Sequence, residues 1–420
     1  MNQGKITNLL LWTALAIFLF GSGYKLGEYR TSQKTRQRPF YNILNAPSEK
    51  TQQKDKNIDF NLFWDTWNKV EQKYIDKEKL DPQKMFYGAL KGLVASLEDP
   101  YTFFLTPEEN KQSKDDLEGK FEGIGAQLGL KNNRIVIIAP LKSSPAEKAG
   151  VRAGDYVVKV NGQSTKNWSL PQAVSKIRGK KGTKVKLTLL RGNKEFDVEI
   201  TRDQIIVDSV ELSFEKRKDC KRDCDQVAYI KLNQFGENTN EEWDQVADKV
   251  EESWNNKSVK GAVVDVRDNP GGFLESSVYV ASEFLPFDRL IVKQETTDAG
   301  TREYHVARRG KLTDIPLVVL INKGSASASE IFAGALRDHK RTSLVGEKTF
   351  GKGSVQEAID LKGGAGLHVT IAKWILPQGA WINGKGIEPD MKVENKLPEG
   401  NTLTREEDAQ LEKAVAEVLE

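Results

Sequence analysis

Two apolar runs, each broken by a glycine-bearing turn and followed by a helical pattern, restrict this chain more than any other feature. KGAVVDVR (260–267) leads into DNPGG (268–272) and a helix expected from about Phe273, and IPLVVLIN (315–322) leads into KGSASASE (323–330) and a helix expected from about Ser327. Alternating strand and helix patterns of this kind build α/β layers. At the start of each helix, backbone N–H groups have no intrahelical partner and carry the positive end of the helix dipole. Two such starts converging on one cleft can stabilise a negative charge that develops there.

At 420 residues the chain has room for two or three domains. Charge is nearly balanced, with 63 Lys+Arg against 60 Asp+Glu, which excludes binding to nucleic acid by bulk charge. Residues 9–20, LLLWTALAIFLF, are uncharged. An uncleaved signal anchor and a cleaved signal peptide over 1–30 both fit; a buried core helix is the plain alternative. The run is shorter than the roughly 20 residues of a span. No A-x-A site follows it, and Lys25, Arg30, Lys34, Arg36 and Arg38 sit badly with an inward N-terminus. Either leading reading attaches the chain to, or carries it across, a membrane, so the rest is expected to be extracytoplasmic (periplasmic or on the cell-surface side). Cys220 and Cys224 are two ligands at most and make no zinc site. Outside the cytoplasm a small disulfide loop suits them. No metal and no cofactor is expected.

Residues 31–57 are polar and aperiodic and read as a linker. Over 58–118, helical spacing (Phe60, Phe63, Trp67, Val70, Tyr74, then a helix from Pro82 behind Asp81) indicates a small helical domain. Residues 119–203 change to short strands separated by turn signals, with a short helix capped at Ser144. Residues 204–400 carry the α/β pattern. Residues 401–420 end in an amphipathic helix, with a cap read at Thr404 and Leu411, Val415 and Leu419 on one face. That helix is free to pack on the core or on a second copy, and a homodimer stays open.

Three serines, Ser325, Ser327 and Ser329, crowd the second turn, and Lys352 and Gln356 follow in TFGKGSVQ (349–356). A serine is a poor nucleophile until a base takes its proton, and a lysine serves only when burial lowers its pKa. Lys352 lies between Gly351 and Gly353, where backbone can approach it. Gln356 can orient the amine without adding charge. For an oxyanion, the N–H of Ala328 at the helix start and that of Gly271 or Gly272 are the candidates. Taken singly, each has an ordinary reading: a helix cap, a solvated lysine, and a strand-end ion pair between Asp265 and Arg267.

Two family resemblances join these parts. FEGIGAQL (121–128), SPAEKAGVRAGDYVVKVNG (144–162) and SLPQAVSKIRG (169–179) resemble a PDZ domain of the bacterial protease type, with Gly123, Ile124, Gly125 and Ala126 as its carboxylate-binding loop. Such a loop gathers backbone N–H groups around a terminal carboxylate while the peptide adds as a strand. FYGALKGLVASLEDPYTFFLTPEE (86–109), FEGIGAQLG (121–129), DVRDNPGG (265–272), GSASASEIFAGALRDHKR (324–341) and TFGKGSVQ together resemble the C-terminal processing peptidases, or tail-specific proteases. The resemblance spans about 60 to 420. It implies a multidomain α/β protein: an N-terminal helical domain, a PDZ domain and a core similar to the Clp protease and crotonase folds. It implies Ser327 as nucleophile, Lys352 as general base and Gln356 as the residue orienting it, with Asp265, Arg267, Glu330 and Asp338 as supporting positions. Arg178 matches an arginine that couples the PDZ domain to the core in some members. The implied activity is cleavage of proteins whose free C-termini the PDZ domain holds. The cysteine-bearing insert 216–226 departs from the family pattern. A non-catalytic PDZ adaptor is the alternative from another class, and a triad through His305, His339 or His368 is the alternative chemistry.

Overall fold

The computed structural model describes residues 59–131, 134–141, 143–152, 154–168, 170–220, 224–296, 300–395 and 405–420. The signal anchor or signal peptide expected over 1–30 and the linker expected over 31–57 lie outside them. No helix among the described residues is long and apolar enough to cross a membrane. The chain divides into two compact units, up to Asp81 and from Pro82 onward. The division falls inside the stretch 58–118 read as a helical domain.

In the first unit, helix α1 (Phe60–Lys73) is capped by Asp59, whose carboxylate accepts from Asn61 N–H at 2.9 Å. The second unit opens with α2 (Pro82–Ala95), a short strand β1 (Phe103–Leu105) and α3 (Pro107–Leu117). Thr106 and Glu109 form a reciprocal capping box at the start of α3. β1 pairs with a strand from far down the chain, Phe103 opposite His368, and this pairing ties 82–118 to the core.

β2 (Lys120–Gly123) enters the PDZ-like body. There follow β3 (Ala126–Lys131), β4 (Arg134–Pro140), α4 (Pro145–Lys148), β5 (Tyr156–Val160), β6 (Gln163–Ser164), α5 (Leu170–Ile177), β7 (Lys184–Arg191) and β8 (Lys194–Thr201). Its sheet runs β3-β4-β5-β7-β8, so β3 is an edge strand. Ser144 caps α4 as read, accepting from Glu147 N–H. β9 (Asp203–Ile206) returns to pair with β2 and closes the body.

The core contains β10 (Val210–Glu215), β11 (Gln226–Leu232), α6 (Thr239–Asn255), β12 (Val259–Asp265), α7 (Leu274–Ala281), β13 (Leu290–Thr296), β14 (Gly300–His305), β15 (Leu317–Ile321), α8 (Ala328–Asp338), β16 (Ser343–Gly346), β17 (Ser354–Asp360), β18 (Gly366–Ile375), β19 (Met391–Lys392) and α9 (Ala409–Leu419). One sheet runs β10-β11-β12-β15-β16-β19, parallel except at its β10 edge. A second sheet holds β1, β18, β13 and β14, with β17 paired to β18. Helices α6, α7 and α8 pack with Val264, Val266, Val319 and Ile321 on one face of the first sheet. The alternate residues Val263, Val318 and Leu320 face the other way, onto Leu411, Ala414, Val415 and Val418 of α9. This period-two division is why both strands are apolar throughout: each is buried on both sides.

The C-terminal helix thus covers its own sheet. Its apolar face is used within the chain, so the face that left a homodimer open is occupied. Each fully buried Leu or Val there is worth about 1.5–3 kcal/mol. The helix is capped by Asp408, which accepts from Leu411 N–H and also meets Arg267; Thr404, where the cap was expected, lies outside the described residues. Nearby, Arg405 pairs with Glu215 and donates to the Lys216 carbonyl, and Lys218 N–H donates to Glu412. These contacts fasten Lys216 and Lys218, at the start of the 216–226 insert, beside α9, and Cys220 and Cys224 are joined as a disulfide.

Arg267 sits in this back layer. Its guanidinium meets Asp265 at 2.6 Å and Asp408 at 2.8 Å, and donates to Gln410 at 3.0 Å. Burial opposes the charge on Asp265, but Lys231 and Arg267, with hydrogen bonds from Arg267 and Tyr229, hold its carboxyl at about 2. Burial likewise opposes the charge on Asp408, and the hydrogen bond and charge of Arg267 keep it below the usual range. Both folded-state values lie below the unfolded ones, so the stabilisation is complete above about pH 4 and is lost as pH falls toward 2. Replacing Arg267 by Met is expected to cost about 3–5 kcal/mol, because two carboxylates lose their shared buried partner. Urea denaturation at pH 7 and pH 3 checks this: the cost should shrink at the lower pH.

Candidate active site

The turns after β12 and β15 are sewn together before any catalytic side chain is considered. Asp268 N–H donates to Asn322 Oδ1 and Asn322 Nδ2 donates to Asp268 Oδ1, both at 2.9 Å. Ala326 N–H donates to the Asn269 carbonyl at 3.0 Å. The flanking serines are part of this seam. Ser325 Oγ donates to the Val266 carbonyl at 2.7 Å, and Ser329 Oγ to the Asn269 carbonyl at 2.9 Å. Both are fully buried, whereas Ser327 is half-buried and its hydroxyl donates to no described group. The cluster therefore separates into two structural serines and one presented hydroxyl.

Ser327 occupies φ 54°, ψ −115°, a conformation that non-glycine residues rarely adopt. Such strain costs about 1–3 kcal/mol and persists only where the surroundings over-determine it. Here one carboxylate does so. Glu330, in the first turn of α8 and fully buried, takes Ser327 N–H on Oε2 at 2.9 Å. The same oxygen accepts Lys352 N–H at 2.9 Å, and Oε1 accepts Thr349 Oγ1 at 2.6 Å and Gly351 N–H at 2.7 Å. Burial raises the Glu330 pKa, against the hydrogen bonds from Thr349, Lys352, Gly351 and Ser327. Phe350 N–H adds a backbone link to the Ser325 carbonyl at 3.0 Å. Gly351, at φ 92°, has no room for a side chain: a Cβ would lie 2.7 Å from Gly386 N.

Lys352 projects from this clasp and is half-buried. Burial pushes its amine down from the usual lysine range, opposed by the charges of Asp99 and Glu330. Its Nζ lies 5.0 Å from the centroid of the Tyr101 ring. No hydrogen bond joins Nζ to Ser327 Oγ among the described residues. Gln356 does not reach the amine either: its Nε2 donates to Ser354 Oγ at 2.9 Å and Thr370 Oγ1 at 3.1 Å. A register shift between Val355 and Gln356 in the β17–β18 ladder accompanies this placement.

The glycine turn packs against the serine. A Cβ on Gly271 would lie 2.9 Å from Ser327 Cβ and 3.0 Å from Ala328 N, so only glycine fits. Its own N–H is taken by Asn269 Oδ1 at 2.9 Å. Gly272 N–H and Ala328 N–H have no partner among the described residues, which leaves these two for an oxyanion. Asn269, fully buried and donating to the Leu232 carbonyl, shapes this turn and was not singled out from sequence. Its signal was the Asn-Pro-Gly-Gly string itself, a turn in which asparagine bonds backbone two residues on.

Other predicted positions lie elsewhere. Asp265 and Arg267 face α9, on the opposite side of the sheet from α8. Asp338 closes the far end of α8, where its carboxylate accepts Gln378 N–H at 3.0 Å. Arg178 pairs with Asp116 of α3 at 3.0 Å and lies over the Phe121 ring, touching neither Ser327 nor Lys352. His339 Nε2 meets the Leu290 carbonyl, His305 meets Asp288 and Glu303, and His368 stacks on Phe103. No histidine bonds Ser327 among the described residues.

In the PDZ-like body, Ile124 is buried and its carbonyl accepts Ala146 N–H, while the Gly125 carbonyl accepts Leu141 N–H. Gly125 has φ 70°, and a Cβ there would lie 2.5 Å from Ser144 Cβ. The N–H groups of Ile124 and Gly125 have no partner among the described residues. Beside them, β3 presents its free edge next to α5, with Gly123 ending β2 and Ala126 starting β3.

Residues 226–393 match peptidase family S41. The carboxy-terminal processing protease CtpA of Bacillus subtilis (strain 168) is 40% identical over 318 residues, which cover 76% of this chain and 66% of that protein. The solved photosystem II D1 C-terminal processing protease is 30% identical, with a TM-score of 0.51 over 80% of this chain and 94% of that one. This chain belongs to peptidase family S41. Residues 136–191 match a PDZ domain, and residues 19–109 match the N-terminal domain of the activating protease CtpB. A probable CtpA-like serine protease of Staphylococcus aureus (strain COL) is 39% identical over 320 residues, 76% of this chain and 62% of its own length. The chain thus spans about two thirds or less of these curated relatives. The multidomain α/β architecture read from sequence is that of this family.

Two outcomes test the clasp. Glu330→Gln places an amide N–H against backbone donors and is expected to lower stability by about 2–4 kcal/mol in urea denaturation. Ser327→Gly, which removes the positive-φ penalty, is expected to be more stable than Ser327→Ala by about 1 kcal/mol in the same measurement.

Proposed function

We propose that this family S41 member is a serine endopeptidase that works through a Ser327–Lys352 dyad on proteins whose C-termini its PDZ domain holds. The observation that carries this reading is the Glu330 carboxylate, one oxygen of which accepts both the Ser327 and the Lys352 N–H. It fixes nucleophile and base to one point, and burial keeps the base short of the usual lysine basicity.

Neutral Lys352 takes the Ser327 proton as Oγ attacks the scissile carbonyl carbon. The oxyanion lies against Ala328 N–H and Gly272 N–H. The tetrahedral intermediate collapses as the ammonium of Lys352 gives its proton to the leaving amine, which frees the C-terminal product and leaves an ester on Ser327. Water then attacks this ester, Lys352 takes one of its protons, and that proton returns to Ser327 Oγ as the acid departs. Gln356 acts in this reading by orienting the amine, which requires it to leave Ser354 and Thr370. The substrate tail adds along β3, its carboxylate on the N–H groups at Gly123–Ala126. Arg178, bonded to Asp116, links that body to the segment entering the core. The uncharged run at 9–20 and the Cys220–Cys224 disulfide support an extracytoplasmic, membrane-associated location.

Ser327→Ala and Lys352→Ala are each expected to lose at least about 10³-fold in kcat/KM on an unstructured peptide with a free C-terminus. Amidating that C-terminus should weaken binding to Ser327→Ala protein by about tenfold or more in fluorescence anisotropy. Full cleavage by both variants overturns the dyad; wild-type binding without cleavage makes the protein an adaptor.

A further inference from the structure

The stretch LEDPYT (97–102) has no part in the steps above, although β1 delivers it to the lysine. Register pairing of Phe103–Leu105 with Gly366–His368 brings the residues just before β1 alongside Thr370. Asp99 Oδ2 accepts from Thr102 Oγ1 at 2.7 Å and from Thr370 Oγ1 at 2.6 Å, and Oδ1 accepts from Tyr101 N–H at 3.0 Å. Thr370 N–H donates to Thr102 Oγ1 at 3.0 Å. The same Thr370 hydroxyl accepts from Gln356 Nε2, so a chain of hydrogen bonds runs Gln356–Thr370–Asp99. Three donors thus hold the carboxylate, one of them the Tyr101 backbone N–H, and the centroid of the Tyr101 ring lies 5.0 Å from Lys352 Nζ.

We infer that Asp99 and Tyr101 are positioning residues for Lys352: the ring seats the amine, and the fixed carboxylate attracts its charged form. This rests on the reading of Lys352 as the base. The Tyr101 ring lies against the amine, and the titratable groups whose charges couple to it are Asp99 from the 99–102 segment, Glu330 from α8 and His368 from β18. Burial favours the neutral amine, while Asp99 and Glu330 favour the ammonium. Burial, and then the charge of Lys352, keep the His368 imidazole below its usual range, so it adds little positive charge here. Burial, then Glu330 and Asp99, raise the Tyr101 phenol, which stays neutral and offers its ring face. Glu330 cannot be varied without opening the clasp. Asp99 is therefore the adjustable charge. Its bond to Thr370 also engages the hydroxyl to which Gln356 donates, so releasing Asp99 loosens the contact that keeps Gln356 from the amine.

The sign follows directly. A negative charge near an ammonium raises its pKa, so removing that charge lets Lys352 deprotonate at lower pH. Asp99→Asn keeps an acceptor oxygen for Thr102 and Thr370, removes the charge and gives up the bond from Tyr101 N–H, while Tyr101→Leu leaves that backbone bond in place. The full chain carrying Ser327→Ala is labelled with acetic anhydride across a pH series, and the extent of acetylation at Lys352 is read by mass spectrometry. The midpoint is expected to fall by about one pH unit in Asp99→Asn. It should fall in the same direction in Tyr101→Leu and stay in place in Tyr101→Phe, which keeps the ring. In the Ser327 form, the acid limb of kcat/KM should move down with the Asp99→Asn midpoint. An unmoved midpoint in both Asp99→Asn and Tyr101→Leu overturns the inference, as does a lower plateau with no shift of the limb. Labelling needs no turnover, so failure of the dyad itself would show separately, as activity surviving in Ser327→Ala.

Discussion

The site depends on a single buried carboxylate. Glu330 is three residues beyond Ser327 on the same helix, so helical geometry alone puts its side chain back over the turn it caps. What is unusual is the number of donors it collects. Two oxygens take a serine N–H, a lysine N–H, a glycine N–H and a threonine hydroxyl. A carboxylate this buried is tolerable only when its lone pairs are satisfied, so the requirement runs both ways. Glu330 holds the 349–352 loop to the helix start, and the loop makes the burial of Glu330 affordable. The strained backbone of Ser327 is one consequence.

The sheet separates two kinds of polar network by its pleat. Residues on the α8 side of β12 and β15 lead into the turns that carry Gly271 and Ser327. Those on the α9 side lead to Asp265, Arg267 and Asp408, which anchor the C-terminal helix. The DVRDNPGG string therefore serves two faces at once: its first half locks the back layer and its second half shapes the wall against Ser327. A tight turn cannot keep Gly271 within contact of Ser327 unless the strand that carries it is itself immobile, and the back layer supplies that rigidity.

Much of this was legible from residue order. Strand positions followed from apolar runs, α4 from Ser144 and Pro145, and the helix start at Ser327 from the serine-rich turn. The clasp was not, since nothing in SEIF or TFGKG states that one carboxylate will accept three backbone N–H groups. Backbone donors leave no trace in side-chain identity. Gln356 was read as reaching Lys352 from its separation of four residues, but it lies on β17 opposite Thr370 of β18 and donates to Ser354 and Thr370. Asp338 shares α8 with Ser327 but sits at its other end, so closeness in sequence did not bring it to the site. Asp408 was not read as the cap of α9, because its pairing with the distant Arg267 cannot be recognised locally.

Family membership, the layered α/β core, the PDZ-like body and the candidacy of Ser327 and Lys352 were all determined by sequence, because hydrophobic period, turn chemistry and motif spacing are local quantities. Tertiary structure decided which serine hydroxyl is presented, which glycine N–H stays free, which face Arg267 serves and which distant segment meets the lysine. Each of those depends on a pairing between residues far apart in the chain, such as β1 with β18 or Asn322 with Asp268. Such pairings are set by how whole layers stack, a property that no window of the sequence contains.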